Sequence, residues 1–140
     1  TTKTSRHIDS VEGGVRVGSF DSREAWLNMG GELAGLNISA SIQHVTTGGD
    51  PDRIVTEDAQ SQAIFPAPLV LLNPETSLAP GELQTNHELL NAKLRVGAEN
   101  WNFDIFSWQL ANAGLGSGGL QVLDPVGSDS VALSGASFHT

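Results

Sequence analysis

The sequence predicts an all-β fold, an antiparallel meander of about six strands that forms part of a transmembrane β-barrel with long extracellular loops. Three observations support this prediction. Apolar and polar residues alternate in several short segments, which is the pattern of a strand with one apolar face. Apart from the first short turn at 21–22, short and long connections alternate between these segments, and aromatic residues lie near their ends. Both features are typical of strands that cross a membrane.

The clearest strand is at residues 36–43, where Leu, Ile, Ala and Ile alternate with Asn, Ser, Ser and Gln without an error. A period of two places these two sets on opposite faces of a strand. Residues 24–32 alternate less cleanly, and a short connection at 33–35 joins them to the clear strand, which predicts a hairpin. Residues 14–20 are a third strand candidate, and a turn at 21–22 follows them.

A second hairpin is predicted further along the chain. Residues 90–96 alternate again, and after a short turn at 97–100 the bulky apolar residues of 101–105 occupy odd positions. The last strand candidate is at 130–138.

A helix from about Pro80 to Gly97 competes with the strand at 90–96. Leu83, His87, Leu90 and Leu94 approximate one helical face. The polar residues Asn91, Lys93 and Arg95 alternate with apolar ones, and this decides for the strand.

Two long stretches, 47–86 and 111–129, separate the predicted strands and are rich in Gly, Pro and acidic residues. Connections longer than about 12 to 15 residues are uncommon in compact domains, whereas the outer loops of membrane barrels are long. We therefore expect both stretches outside the cell. Trp101, Trp108, Phe20 and Phe138 lie near strand ends, where aromatic residues collect at membrane interfaces.

The apolar residues of the two hairpins are predicted to face lipid, while their polar neighbours line an enclosed interior. The solvated sheet of a β-sandwich would show the same alternation, and this alternative stays open. The predicted lipid-facing residues are Leu36, Ile38, Ala40, Ile42, Ala92, Leu94, Val96, Trp101, Phe103 and Ile105.

Composition excludes several functions. Seven basic against sixteen acidic residues give a formal net charge of -9, which repels the phosphates of nucleic acids. Cysteine is absent, so no disulfide framework or thiol chemistry is available. The chain opens without an initiator Met or a sorting signal, and we expect it to be a piece of a longer protein.

Candidate sites are few. Asp50 and Asp52 could offer carboxylate oxygens to Ca²⁺, but Asp-Pro-Asp after Gly-Gly is also a common turn, and the turn is the preferred interpretation. The four His residues are scattered, Ser117 lacks the Gly-x-Ser-x-Gly context of a nucleophile, and no acid, base and nucleophile converge. We therefore predict no enzyme activity, no metal site and no cofactor.

A family resemblance adds to this pattern. Residues 15–33 (VRVGSFDSREAWLNMGGEL), with 49–55 (GDPDRIV) and 58–60 (DAQ), resemble the first barrel strands of TonB-dependent outer-membrane receptors. The opening Thr1, Thr2 and Lys3 are similar to the residues that follow the plug domain of that family. The resemblance covers nearly the whole chain and rests on a diffuse pattern without a catalytic signature.

The resemblance implies that residues 1–140 are one partial barrel segment, whose parent has about 22 strands and a plugged lumen. The plug domain and the remaining strands would lie outside this chain. It further implies a receptor in the bacterial outer membrane that takes up a scarce nutrient, such as siderophore-bound iron, cobalamin, haem or a glycan. Its partners would be outer-membrane lipid and, through the missing parts, the TonB complex. The alternative function is a secreted β-sandwich module for adhesion or carbohydrate binding.

Overall fold

The computed structural model describes residues 11–59, 77–116 and 122–140. These residues contain strands and connections, and none of them lies in a helix. The predicted all-β class is therefore confirmed, and the competing helix between Pro80 and Gly97 is wrong, because most of that range forms strands. The strands are β1 (Val11–Val17), β2 (Arg23–Leu33), β3 (Leu36–Thr47), β4 (Ile54–Val55), β5 (Gly81–Glu82), β6 (His87–Ala98), β7 (Trp101–Gly114) and β8 (Ser128–His139).

The six long strands form one sheet in the order β1-β2-β3-β6-β7-β8. All pairs are antiparallel. β4 and β5, which follow β3 and precede β6 in the chain, form a separate two-stranded sheet. The predicted antiparallel meander of six strands is confirmed. The sheet is open, since β1 and β8 lie at its two edges and do not pair with each other.

The two ends of the large sheet differ in their connections. At the turn end, two-residue turns at 34–35 and 99–100 join β2 to β3 and β6 to β7. At the loop end, the chain passes through 18–22, 48–86 and 115–127. Ala34 and Gly35 both have positive φ, 52° and 79°, as a two-residue type I′ turn requires.

All the predicted strands differ from the observed bounds by at least one residue at an end, and two of the differences have a clear physical reason. The prediction at 14–20 runs three residues too far, because Phe20 and Asp21 adopt φ of 58° and 54° and form a turn closed by the Gly18 N–H bond to the Ser22 carbonyl, 2.8 Å. β7 continues nine residues beyond the predicted end at 105. After Ile105 the apolar residues move from odd to even positions, so the period that predicts the strand breaks although the strand does not.

No second layer covers the large sheet in the residues that the structure describes. Their buried apolar side chains are Val122 and Leu123, both in the connection between β7 and β8. Apolar residues of the sheet stay open on both faces, for example Val15 at 80% exposure and Leu133 at 58%. Within the described ranges there is also no helix that could span a membrane.

Candidate functional site

The strand register brings all ten residues that were predicted to face lipid onto one face of the sheet. Directly opposed residues of neighbouring strands share a face, and Ile38, Val96 and Phe103 form one such cross-strand row. The cross-strand rows on either side of this one contain the remaining predicted residues. We call this surface the apolar face; it comprises Leu36, Ile38, Ala40, Ile42, Ala92, Leu94, Val96, Trp101, Phe103 and Ile105.

Aromatic rings gather on the apolar face at the turn end. Trp101 and Phe138 stack with ring centroids 6.1 Å apart and planes 28° apart, and Phe103 lies directly opposite Phe138. Trp108, which the sequence places near the opposite end of its strand, instead opposes Asn91 and Leu133 on the other face. It therefore does not belong to the aromatic group on the apolar face.

Polar residues limit the apolar face on the side of the loop end, and this limit runs diagonally. Counting from the loop end, Arg23 of β2 lies in the first cross-strand row and His44 of β3 in the second. Ser107 of β7 and Ser134 of β8 lie in the third row. β6 departs from the line, since it is apolar up to Leu90 in the second row. The apolar stretch of this face therefore begins closer to the loop end on β2 than on β7 and β8.

The opposite face, which we call the polar face, carries the hydrogen-bonding side chains of the same strands. Asp104 is 6% exposed and accepts two hydrogen bonds from Arg95, Nε to Oδ1 at 2.7 Å and a terminal nitrogen to Oδ2 at 3.2 Å. Lys93 Nζ lies 4.0 Å from Oδ1. The other members include Asn28, Ser39, Ser41, Gln43 and Asn91.

A groove of about 270 Å³ crosses the polar face near its middle. On one side, Arg16 forms an ion pair with Glu24 at 3.1 Å, and its guanidinium lies 5.8 Å from the centroid of the Trp26 ring. Glu24 Oε1 also accepts a hydrogen bond from Gln43 Nε2 at 2.7 Å. Asn91 lines the other side. The groove thus joins one aromatic ring to several fixed polar groups.

The sequence interpretation missed this groove. Trp26 lies in a strand whose alternation is imperfect, and the groove combines β1, β2 and β3 with β6, which is distant in the chain. A visible signal was the combination of Trp26 and Gln43, which become direct neighbours once the turn at 34–35 fixes the β2-β3 register.

The connections at the loop end contact each other around the buried Leu123. Leu123 is 1% exposed, and its N–H donates to Asp58 Oδ2 at 2.9 Å. The same carboxylate oxygen accepts from Ser77 Oγ at 2.5 Å, while the Leu123 carbonyl accepts from the Leu78 N–H at 3.1 Å. Asp58 therefore ties the β3-β6 connection to the β7-β8 connection.

The possible calcium ligands form a turn. Asp50 Oδ1 accepts a hydrogen bond from the Asp52 N–H at 3.1 Å, which occupies one of the oxygens that a cation would need. Across residues 11–59, 77–116 and 122–140, no three His, Asp or Glu side chains converge closely enough to hold a metal ion.

Several predictions lie outside the described residues. These are the opening Thr1, Thr2 and Lys3 of the family resemblance, residues 60–76 of the first long connection, and Ser117 with the rest of 117–121. The comparisons identify no family: no family model, curated protein or solved structure matches this chain.

Proposed function

We propose that this chain is the opening segment of the barrel of a TonB-dependent receptor in the bacterial outer membrane, which takes up a scarce nutrient. The observation that carries the proposal is an open, single-layered antiparallel sheet with an apolar face on one side and a polar face on the other. In a membrane barrel the first face contacts hydrocarbon and the second lines the lumen.

The diagonal limit of the apolar face supports a membrane setting. Between Arg23 and Ser107 the limit moves by two rows, about 13 Å along the strands, while three strand spacings cover about 14 Å. A plane that crosses the strands in this way makes an angle of about 40° with the perpendicular to them, which agrees with the tilt of about 35 to 45° found in barrels.

The ends of the sheet support the same orientation. Outer-membrane barrels have short turns on the periplasmic side and longer loops on the outside. In the proposed orientation the turns at 34–35 and 99–100 face the periplasm, and 48–86 and 115–127 face the exterior. Trp101, Phe103 and Phe138 then form part of the aromatic girdle at the periplasmic interface.

The open edges of the sheet fit a segment of a larger barrel. Within the described ranges, β1 and β8 each present an unpaired row of backbone groups, which in lipid must find partners. Further strands of the same barrel would supply them. A β-sandwich module, the alternative function, needs a second sheet against one face, and in the part of the chain that the structure describes both faces are open.

The test uses the absence of cysteine from this chain. The gene with its native flanking sequence, in which any flanking cysteine is replaced by serine, is expressed in a Gram-negative host, and the outer membrane is isolated. Cysteines are introduced singly as Ile38→Cys on the apolar face and Ser39→Cys on the polar face, and each is labelled with an environment-sensitive fluorophore. We expect brominated lipids to quench the label at position 38 and not the label at position 39.

Two results would overturn the proposal. The first is recovery of the protein in the soluble fraction, and the second is equal lipid quenching at both positions. Leu94→Cys and Lys93→Cys form a second matched pair on β6, so the result does not depend on one strand.

A further inference from the structure

We propose that the groove on the polar face binds a neutral saccharide, with Trp26 as the stacking surface and Gln43 and Asn91 as hydroxyl ligands. The groove is formed by residues of β1, β2, β3 and β6. The proposal therefore does not depend on the apolar face contacting lipid, and it goes beyond the general role of a nutrient receptor.

The ring of Trp26 lies flat against the sheet. A Cβ built on Gly14, which is directly opposite on β1, would come within 2.4 Å of Trp26 Cζ2, so the indole extends over the glycine. A flat indole offers the negatively polarised face of its π system. The C–H groups on one face of a pyranose carry partial positive charge, and they stack on such a surface.

The amides next to Trp26 match the hydroxyl groups of a sugar. Trp26, Gln43 and Asn91 occupy one cross-strand row, so the ring and the two amides line up across the groove. Each amide offers a carbonyl acceptor and an NH₂ donor, which is the combination that vicinal hydroxyls require. Ser41 and Asn28 extend the polar lining in the next row.

The charges of the groove favour a neutral ligand over an ion. Arg16 and Glu24 neutralise each other at 3.1 Å, and Glu24 is oriented further by Gln43. The guanidinium is 72% exposed, whereas its partner Glu24 is 20% exposed. The guanidinium also lies over the Trp26 ring, so a stacked sugar has to displace it towards solvent. A volume of about 270 Å³ lies just below the roughly 300 to 1000 Å³ of sites for larger ligands. It is suited to one or two sugar rings.

The experiment is a calorimetric titration of the protein with its native flanking sequence in micelles of lauryldimethylamine oxide, a detergent without a sugar headgroup. The probes are maltohexaose, cellohexaose and chitohexaose. We expect at least one of them to bind, and both Trp26→Ala and Asn91→Ala to weaken that binding at least tenfold. Trp101→Ala, which removes a tryptophan from the opposite face, is the matched control and is expected to leave the affinity unchanged.

Circular dichroism monitors whether Trp26→Ala disturbs the fold. Asn91 is exposed, so Asn91→Ala is expected to leave the fold intact and keeps the test valid in that case. The proposal fails if none of the three oligosaccharides binds. It also fails if Trp101→Ala weakens binding as much as Trp26→Ala does, or if neither groove variant changes the affinity.

Discussion

At the scale of single residues, the buried carboxylate of Asp104 is stabilised by the hydrogen bonds of its partner Arg95. Its carboxylate is almost fully covered and receives both of its short hydrogen bonds from Arg95. A charged group in such a place is costly unless it is paired and hydrogen-bonded. Lys93 at 4.0 Å adds a second positive charge without a short contact. The pair with Arg95 therefore fixes the β6-β7 register on the polar face.

We predict that Arg95→Ala lowers the free energy of unfolding by about 1 to 3 kcal/mol, because it leaves the Asp104 carboxylate buried with unsatisfied acceptors. The measurement is a urea titration of the chain in detergent micelles, followed by tryptophan fluorescence. Arg23→Ala is the matched control, since it removes an ion pair at the same distance, 2.7 Å, from a site where both side chains are about 70% exposed. Its expected effect is under about 1 kcal/mol. Equal effects of the two substitutions would show that the burial of Asp104 is unimportant.

A second prediction at this scale concerns Leu123, the most buried side chain of the described residues. Leu123→Ala is expected to cost about 2 to 5 kcal/mol in local stability, because it leaves a cavity where the β3-β6 and β7-β8 connections meet. Hydrogen exchange of the Leu78 and Leu123 amides measures this, since both form hydrogen bonds across that contact. Exchange that stays slow in the variant would contradict a packing role. Val126→Ala, at an 82% exposed position in the same connection, is the control.

At the scale of strands, the sequence predicts β3 well and β7 poorly, for one reason. Where a strand keeps its apolar residues on one face, as at 36–42, period-two alternation reveals both the strand and the face. β7 carries Phe103 and Ile105 on one face and Phe106 and Trp108 on the other, so its pattern breaks in the middle. The polar groove is invisible to periodicity because it depends on cross-strand rows, which only the register defines.

Both edge strands are held by the same device, an aromatic ring that lies over a glycine of the neighbouring strand. Trp26 of β2 covers Gly14 of β1, and Phe106 of β7 covers Gly135 of β8. A glycine in a strand loses side-chain packing, and the ring replaces it. Each edge strand thereby keeps its register although it has a neighbour on one side only.

We predict that Gly14→Ala lowers the free energy of unfolding by about 1 kcal/mol, because the new methyl group displaces the indole. In a Trp26→Ala background the same substitution should cost nothing, since coupling between touching residues is lost when one of them is removed. Urea titration of the four proteins measures the coupling. Gly31→Ala is the control, because its Cβ meets no atom within 4 Å. Additive effects of Gly14→Ala and Trp26→Ala would contradict the packing of ring on glycine.

At the scale of the whole molecule, no second layer covers the large sheet among residues 11–59, 77–116 and 122–140. Soluble sheets bury one face against a second layer, and here the described residues leave apolar side chains exposed on both faces. The polar face itself becomes apolar near the loop end, where Val45, Leu89, Leu110 and Val131 form one cross-strand row. The apolar face and the apolar row on the polar face lie on opposite sides of the sheet, so each needs its own partner to cover it.

The last prediction follows from these open surfaces and edges. In aqueous buffer the isolated chain is expected to aggregate, because six strands leave two edges unpaired and the apolar face uncovered. In micelles the detergent covers the apolar face, and we expect strand-rich, monodisperse particles. Size-exclusion chromatography with light scattering, combined with circular dichroism, compares the two conditions. A monodisperse monomer with a cooperative melt in buffer alone would favour a soluble module, since a face that needs hydrocarbon cannot remain open to water at micromolar concentration without association.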